Sequence, residues 1–403
     1  MHSPKFLSRV FATAAACAVA TVGFVVVSAA PSGAATKAPI AIGYICSCTS
    51  PQASSVVINR SAYEAYVDYT NAHGGIAGHK IKLYLADDSA NPATSTADVH
   101  TFVEQDHVQA IVSLAGSPGA WQSYVDGLHI PIVGADGSAE QFFTDPDFFF
   151  PGQTDDSLPA AVATAAKKVG SSNFGVMYCA EAPACQELVA PLEAIGAKYG
   201  LKLAYNVSIS YSAPSYAAEC LAAQQAGVKA LFIGDSVTVV ETVAKDCAQQ
   251  GYFPTMIASD GAVGIQFATT PGLDDGHLLA FEPQIPFNVT NTPATEAMVS
   301  AFKKYQPSLM SSPNYNGEVD EAWTSGLLLA AAVEAGHPGN TITSAEILKG
   351  LDSLHGNTLG GMSPPLNFHA GKPNLVDCWF WMTTSHTKFA EKYGLTPACA
   401  AKT

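Results

Sequence analysis

The 403-residue chain is short of positive charge, with 19 Lys and Arg against 34 Asp and Glu, and only 13% of its residues are charged at all. A formal net charge of -15 argues against nucleic acid and anionic membrane as partners, since both are held by basic surfaces. Catalytic signatures are missing as well: the sequence has no G-x-S-x-G elbow, no H-E-x-x-H, no G-x-x-x-x-G-K-[ST] loop and no G-x-G-x-x-G after a strand. Its 11 histidines are scattered, none at ligand spacing from a cysteine pair, so neither a metal nor a cofactor is expected. No internal repeat of 20 to 50 residues is present.

Apolar material is abundant, at 48% of the sequence. A chain of this length exceeds one ordinary domain and suggests two. The first 35 residues carry Lys5 and Arg9, an apolar run from Val10 to Ala30, and then small residues ending Gly33-Ala34-Ala35. This reads as a signal peptide cut after Ala35. An uncleaved anchor and a lipid on Cys17 are the alternatives, the latter lacking the usual leucine before the cysteine. Cleavage leaves 17 basic residues and all 34 acidic ones, with eight cysteines. An even count outside the cytoplasm favours disulfides. Spacing pairs Cys179 with Cys185, Cys220 with Cys247 and Cys378 with Cys399; Cys46 and Cys48 are left to close a small ring around Ser47.

From Ile40 onward, short strand-like runs alternate with segments of helical period, the pattern of an α/β chain with parallel sheets flanked by helices. Strands are expected at 40–44, 81–86, 110–112 and 130–133, and helices at 54–72 and 92–105. An aromatic and then polar segment, Phe148 to Ser157, separates this alternation from a second one with strands at 174–178, 201–208, 230–233 and 255–258. Beyond Gly276 come a strand at 277–281, three helices and a short strand-like ending, read as a return to the first lobe.

Ligands of open parallel sheets bind at the strands' carboxyl ends, so the turns there are the candidate site. Ser117 and Pro118 follow the strand ending at Val112 and read as the N-cap and first residue of a helix reaching Gly127, a start suited to a carboxylate or phosphate or simply a cap. Asp136 and Ser138 follow the next strand, Ser236 and Asp260 follow strands of the second alternation, and Asp260 could face a cationic group or bond its own turn. Trp121 either walls a pocket or packs between strand and helix.

The block Asn71-Ala-His-Gly-Gly-Ile-Ala-Gly-His-Lys-Ile-Lys-Leu-Tyr-Leu-Ala-Asp-Asp-Ser-Ala-Asn-Pro closely resembles the signature of the leucine/isoleucine/valine-binding family of type I periplasmic binding proteins. That resemblance implies two Rossmann-like lobes joined by three hinge crossings, near Phe148 to Ser157, His277 to Pro283 and Ser363 to Phe368. The expected division is a signal peptide at 1–35, a first lobe at 36–154 plus 282–365, and a second at 155–281 plus 366–403. It further implies a ligand carboxylate held at Ser117 and near Ser138, and an ammonium at Asp260. Aromatics usual in the family would fall near Ser55, Pro183 and Ser236, where this chain has none, which leaves Trp121 and Tyr44 as replacement walls.

The function so implied is capture of a small polar ligand, an amino acid or related carboxylate or amide, by hinge closure and without catalysis. Its partners would be the ligand and the permease subunits of an ABC transporter, with the chain a monomer and membrane association only through the transporter or an anchor. A ligand-sensing receptor of the same fold is the alternative. A secreted hydrolase is the third reading.

Overall fold

The computed structural model describes residues 37–50, 53–181 and 183–401; the expected signal peptide and Cys17 lie outside them. Two sheets organise the chain. The first contains β1 (Ile40–Cys46), β2 (Ile81–Asp87), β3 (Ala110–Leu114), β4 (Ile132–Gly134) and β5 (Phe148–Phe149), in the order β2-β1-β3-β4-β5 with every neighbour parallel. The second is built on β6 (Asn173–Cys179), β7 (Lys202–Ile209), β8 (Ala230–Gly234), β9 (Thr255–Ser259) and β10 (Leu278–Glu282), all parallel in the order β10-β9-β8-β6-β7. A ribbon of β11 (His355–Asn357) and β12 (Leu366–Asn367) follows, and then β13 (Cys378–Ser385), β14 (Lys388–Ala390) and β15 (Ala398–Cys399).

The sequence reading differs from the structure beyond Gly276: the strand there is β10, which pairs with β9 in the second sheet instead of returning to the first, and at the end of the chain only a short strand-like ending is expected. There β13 adds antiparallel to β10 and carries β14 and β15, also antiparallel, so the second sheet is mixed. The residues of β13 run CWFWMTTS and are buried on both faces, so they lack the alternation that marks a half-exposed strand.

Helices cover both faces of each sheet. Alternate residues of β1 divide between them, with Ile40, Ile42 and Tyr44 in one core and Ile45 in another, as the two-residue period of a strand requires. On the first sheet lie α1 (Ala53–Ala72), α2 (Pro92–Glu104), α3 (Gln122–Asp126) and α4 (Gln141–Thr144). On the second lie α5 (Leu158–Lys168), α6 (Pro183–Glu187), α7 (Val189–Lys198), α8 (Ala217–Gln225) and α9 (Val237–Gln249). After β10 the chain returns to the first layer as α10 (Pro293–Tyr305), α11 (Glu318–Ala335) and α12 (Ser344–Asp352), with α10 and α11 packed on α1.

Local sequence explains the ends of these elements. α1 stops at Gly74 and Gly75, which take φ of 108° and 81°, a region that side chains other than hydrogen disfavour. Asn91 caps α2 by accepting from the Ala93 and Thr94 amides, ahead of Pro92 at the first helical position.

Three segments adjoin near the places where the chain passes between the sheets. Ser363 Oγ donates to the Pro151 carbonyl at 2.7 Å, and the Ile285 amide donates to the Met362 carbonyl at 2.9 Å. A Cβ on Gly152 would sit 2.7 Å from the Pro283 carbonyl oxygen, so only glycine permits this approach. Asn374, on the last passage from β12 to β13, donates from Nδ2 to the Pro146 and Phe148 carbonyls. All four expected disulfides are formed: Cys46–Cys48, Cys179–Cys185, Cys220–Cys247 and Cys378–Cys399.

Candidate functional site

The carboxyl ends of the parallel strands carry the turns named above. After β1, the Cys46–Cys48 bridge closes around Ser47. The Ser47 hydroxyl accepts from the Gly116 amide at 2.8 Å and donates to Asp88 Oδ1 at 2.6 Å. This pairs the turn after β1 with the turn after β3, on a carboxylate that is fully buried.

The turn after β3 departs from the expected helix. Pro118–Ala120 is a single 3₁₀ turn, α3 is only five residues long, and the Ser117 side chain caps no amide. The cause lies at Trp121, whose φ of -127° breaks the helix. Its indole is 1% exposed, stacks on Phe148 at 5.8 Å and donates to Ser95 Oγ at 2.9 Å. Trp121 therefore packs between α2 and β5. A two-piece turn lacks the aligned dipole of a long helix. Ser117 is half-buried and lines an open depression of about 440 Å³ together with Pro92, Gly116, Glu140 and Gln141.

After β4, the Asp136 carboxylate accepts the Ser138 amide at 2.7 Å and its hydroxyl at 3.0 Å, an Asx turn in which Ser138 stays exposed. In the second sheet, Ser236 opens α9 without a side-chain cap, and its amide donates to Asp235 Oδ1 at 2.6 Å. Burial raises the Asp235 carboxyl above the ordinary range. Asp260 begins the 3₁₀ turn Asp260–Ala262 directly after β9. The side chains of Asp260 and Ser55 lie outside the described residues.

Asn59, on α1, connects these ends. It is fully buried. Its Oδ1 accepts from the Tyr44 hydroxyl at 2.8 Å, and its Nδ2 donates to the Ala135 carbonyl at 2.7 Å and to Glu318 Oε2 at 2.9 Å. One side chain thus joins β1, the turn after β4 and the start of α11. The Glu318 carboxylate also reaches the second sheet's turn, since a Cβ on Gly261 would stand 3.2 Å from its Oε1. Glu318, Asp320 and Glu321 are all buried in the first turn of α11, the end where the helix dipole favours negative charge. Tyr44 is fully buried and stacks on Tyr63 at 5.1 Å. Burial and then the Glu318 charge push its hydroxyl well above the usual tyrosine range.

The sequence reading missed Asn59, Glu318, Ser47 and Asp88. A lone Asn on the same helical face as Tyr63 and Tyr66 signals a buried polar contact. Nothing local marks Glu318, since acidic residues are ordinary in a first turn.

The periplasmic binding protein family model matches residues 39–387. No curated protein matches the chain in sequence. Among solved structures, a branched-chain amino acid ABC transporter protein from Thermus thermophilus with bound valine superposes with a TM-score of 0.77 at 15% identity, covering 90% of this chain and 97% of that one. A solute-binding protein from R. palustris in complex with benzoate gives 0.71 at 15% identity, covering 90% and 98%. A fatty acid ABC transporter substrate-binding protein from Thermomonospora curvata gives 0.70 at 16% identity, covering 90% and 91%. These likenesses are of fold.

Proposed function

The chain belongs to the periplasmic binding protein family, and on that premise we propose that it captures a small amine-bearing polar ligand between its two sheets and delivers it to an ABC transporter. The observation that carries this reading is the position of Glu318. Its carboxylate is fixed by Asn59 on the first-sheet side and meets the Gly261 turn of the second. A carboxylate shared by both sides suits the ammonium of a ligand, next to the position of Asp260. The polar turns at Ser117 and Ser138 would take the ligand's other end, and closure about the three adjoining passages would bring the two halves together.

The neighbours bind ligands as different as valine and benzoate, so the fold alone sets no ligand class. The absence of aromatics near Ser55, Pro183 and Ser236 argues for a ligand that needs no stacking wall there. No helix among the described residues is long and apolar enough to cross a membrane.

Native mass spectrometry of protein purified without unfolding identifies any retained ligand. Titration calorimetry then compares valine, γ-aminobutyrate, glycine betaine and benzoate, with small-angle scattering to follow compaction. The expected result is binding of an amine-bearing member with a fall in radius of gyration, weakened at least tenfold by Glu318→Gln. Tight binding of benzoate alone, or tight binding of any ligand without compaction, overturns the reading.

A further inference from the structure

We infer that His355 and His369 form a binding site for one divalent transition-metal ion of the zinc type, separate from the ligand site. His355 opens β11, opposite Asn367 of the antiparallel strand β12, and His369 lies two residues beyond Asn367. Diagonal neighbours on paired strands are within reach of long side chains, and the two imidazoles lie with centroids 5.1 Å apart and planes tilted by 34°.

That separation is one that a shared ion allows. A zinc–nitrogen bond of about 2.1 Å, added to the reach of the ring, places the ion about 3.2 Å from each centroid, and tetrahedral coordination then sets the centroids about 5.2 Å apart. Both residues are exposed, so an ion has access. Their nitrogens are also available. His73, His79, His100, His129 and His386 each hold a hydrogen-bond partner, whereas neither His355 nor His369 has one among the described residues.

Among the described residues, no group of three or more His, Cys, Asp or Glu is placed to hold a metal, so water completes the shell. Imidazole pairs select zinc, copper or nickel over calcium or magnesium. The net charge of -15 raises the local concentration of cations. An ion here would clamp the β11–β12 ribbon, from which the last passage to β13 departs.

The test uses protein without a histidine tag, titrated calorimetrically with zinc chloride and nickel chloride, and with calcium chloride as the contrast. One zinc or nickel ion per chain is expected, with no calcium heat. His355→Asn and His369→Asn should each weaken binding tenfold or more, while the double variant His100→Asn/His129→Asn leaves it unchanged. Because both sites are exposed, unchanged urea midpoints will show that the variants fold. Absence of zinc and nickel binding to the unaltered protein, or equal binding by the His355→Asn/His369→Asn double variant, overturns the assignment.

Discussion

Asn59 makes three hydrogen bonds from a site with no exposure, and its partners are a tyrosine hydroxyl, a main-chain carbonyl and a carboxylate. Leaving a buried polar group unpaired costs about 1–3 kcal/mol. Asn59→Ala strips the Ala135 carbonyl and Glu318 together, so a loss of about 3 kcal/mol is expected in urea unfolding at neutral pH. Asn59→Asp is expected to cost more, because it sets a second carboxylate against Glu318 Oε2 and turns a donor into an acceptor. A loss below about 0.5 kcal/mol for Asn59→Ala would mean that water replaces the amide.

Between elements, glycine sets how closely the helices approach. A Cβ on Gly326 of α11 would stand 2.3 Å from the Tyr66 ring of α1, whose hydroxyl donates to the Gly326 carbonyl at 2.7 Å. A Cβ on Gly350 of α12 would stand 1.8 Å from the Ala332 carbonyl oxygen of α11. Helix propensity alone favours alanine at both by about 1 kcal/mol. Overpacking opposes it by about 1–3 kcal/mol, and it dominates where the obstacle is fixed. Gly326→Ala is therefore expected to lower the thermal midpoint modestly, since an aromatic side chain can shift. Gly350→Ala should lower it more, since a helix carbonyl cannot. A rise in midpoint for Gly350→Ala would show that α11 and α12 do not pack at this distance.

For the whole molecule, the disulfides divide by the length of chain they close. Cys220 and Cys247 are 27 residues apart and tie α8 to α9, a closure worth about 3.5 kcal/mol through the unfolded chain. Cys46 and Cys48 are two residues apart, for which the same relation gives about 1.5 kcal/mol. The double variant Cys220→Ala/Cys247→Ala is thus expected to lose about twice the stability lost by Cys46→Ala/Cys48→Ala, measured as urea unfolding under non-reducing conditions. Equal losses would mean that the small ring acts on the folded state, through the Ser47 hydroxyl and the Gly116 amide it meets.

The sequence by itself determined the α/β class, the two alternations and all four disulfide pairs, because strand and helix periods and short cysteine spacings are local signals. The Asn71 to Pro92 block also marked the family, since a glycine-terminated helix followed by a strand and an Asx cap is written within about twenty residues. Tertiary structure alone decided that β13 to β15 complete the second sheet, that Trp121 turns into the core and ends its helix, and that Asn59 meets Glu318. It also brought His355 and His369 together. Asn59 and Glu318 lie 259 positions apart, and β13 joins β10 from about a hundred residues further along the chain; contacts at such separations depend on which surfaces pack, which no local periodicity encodes.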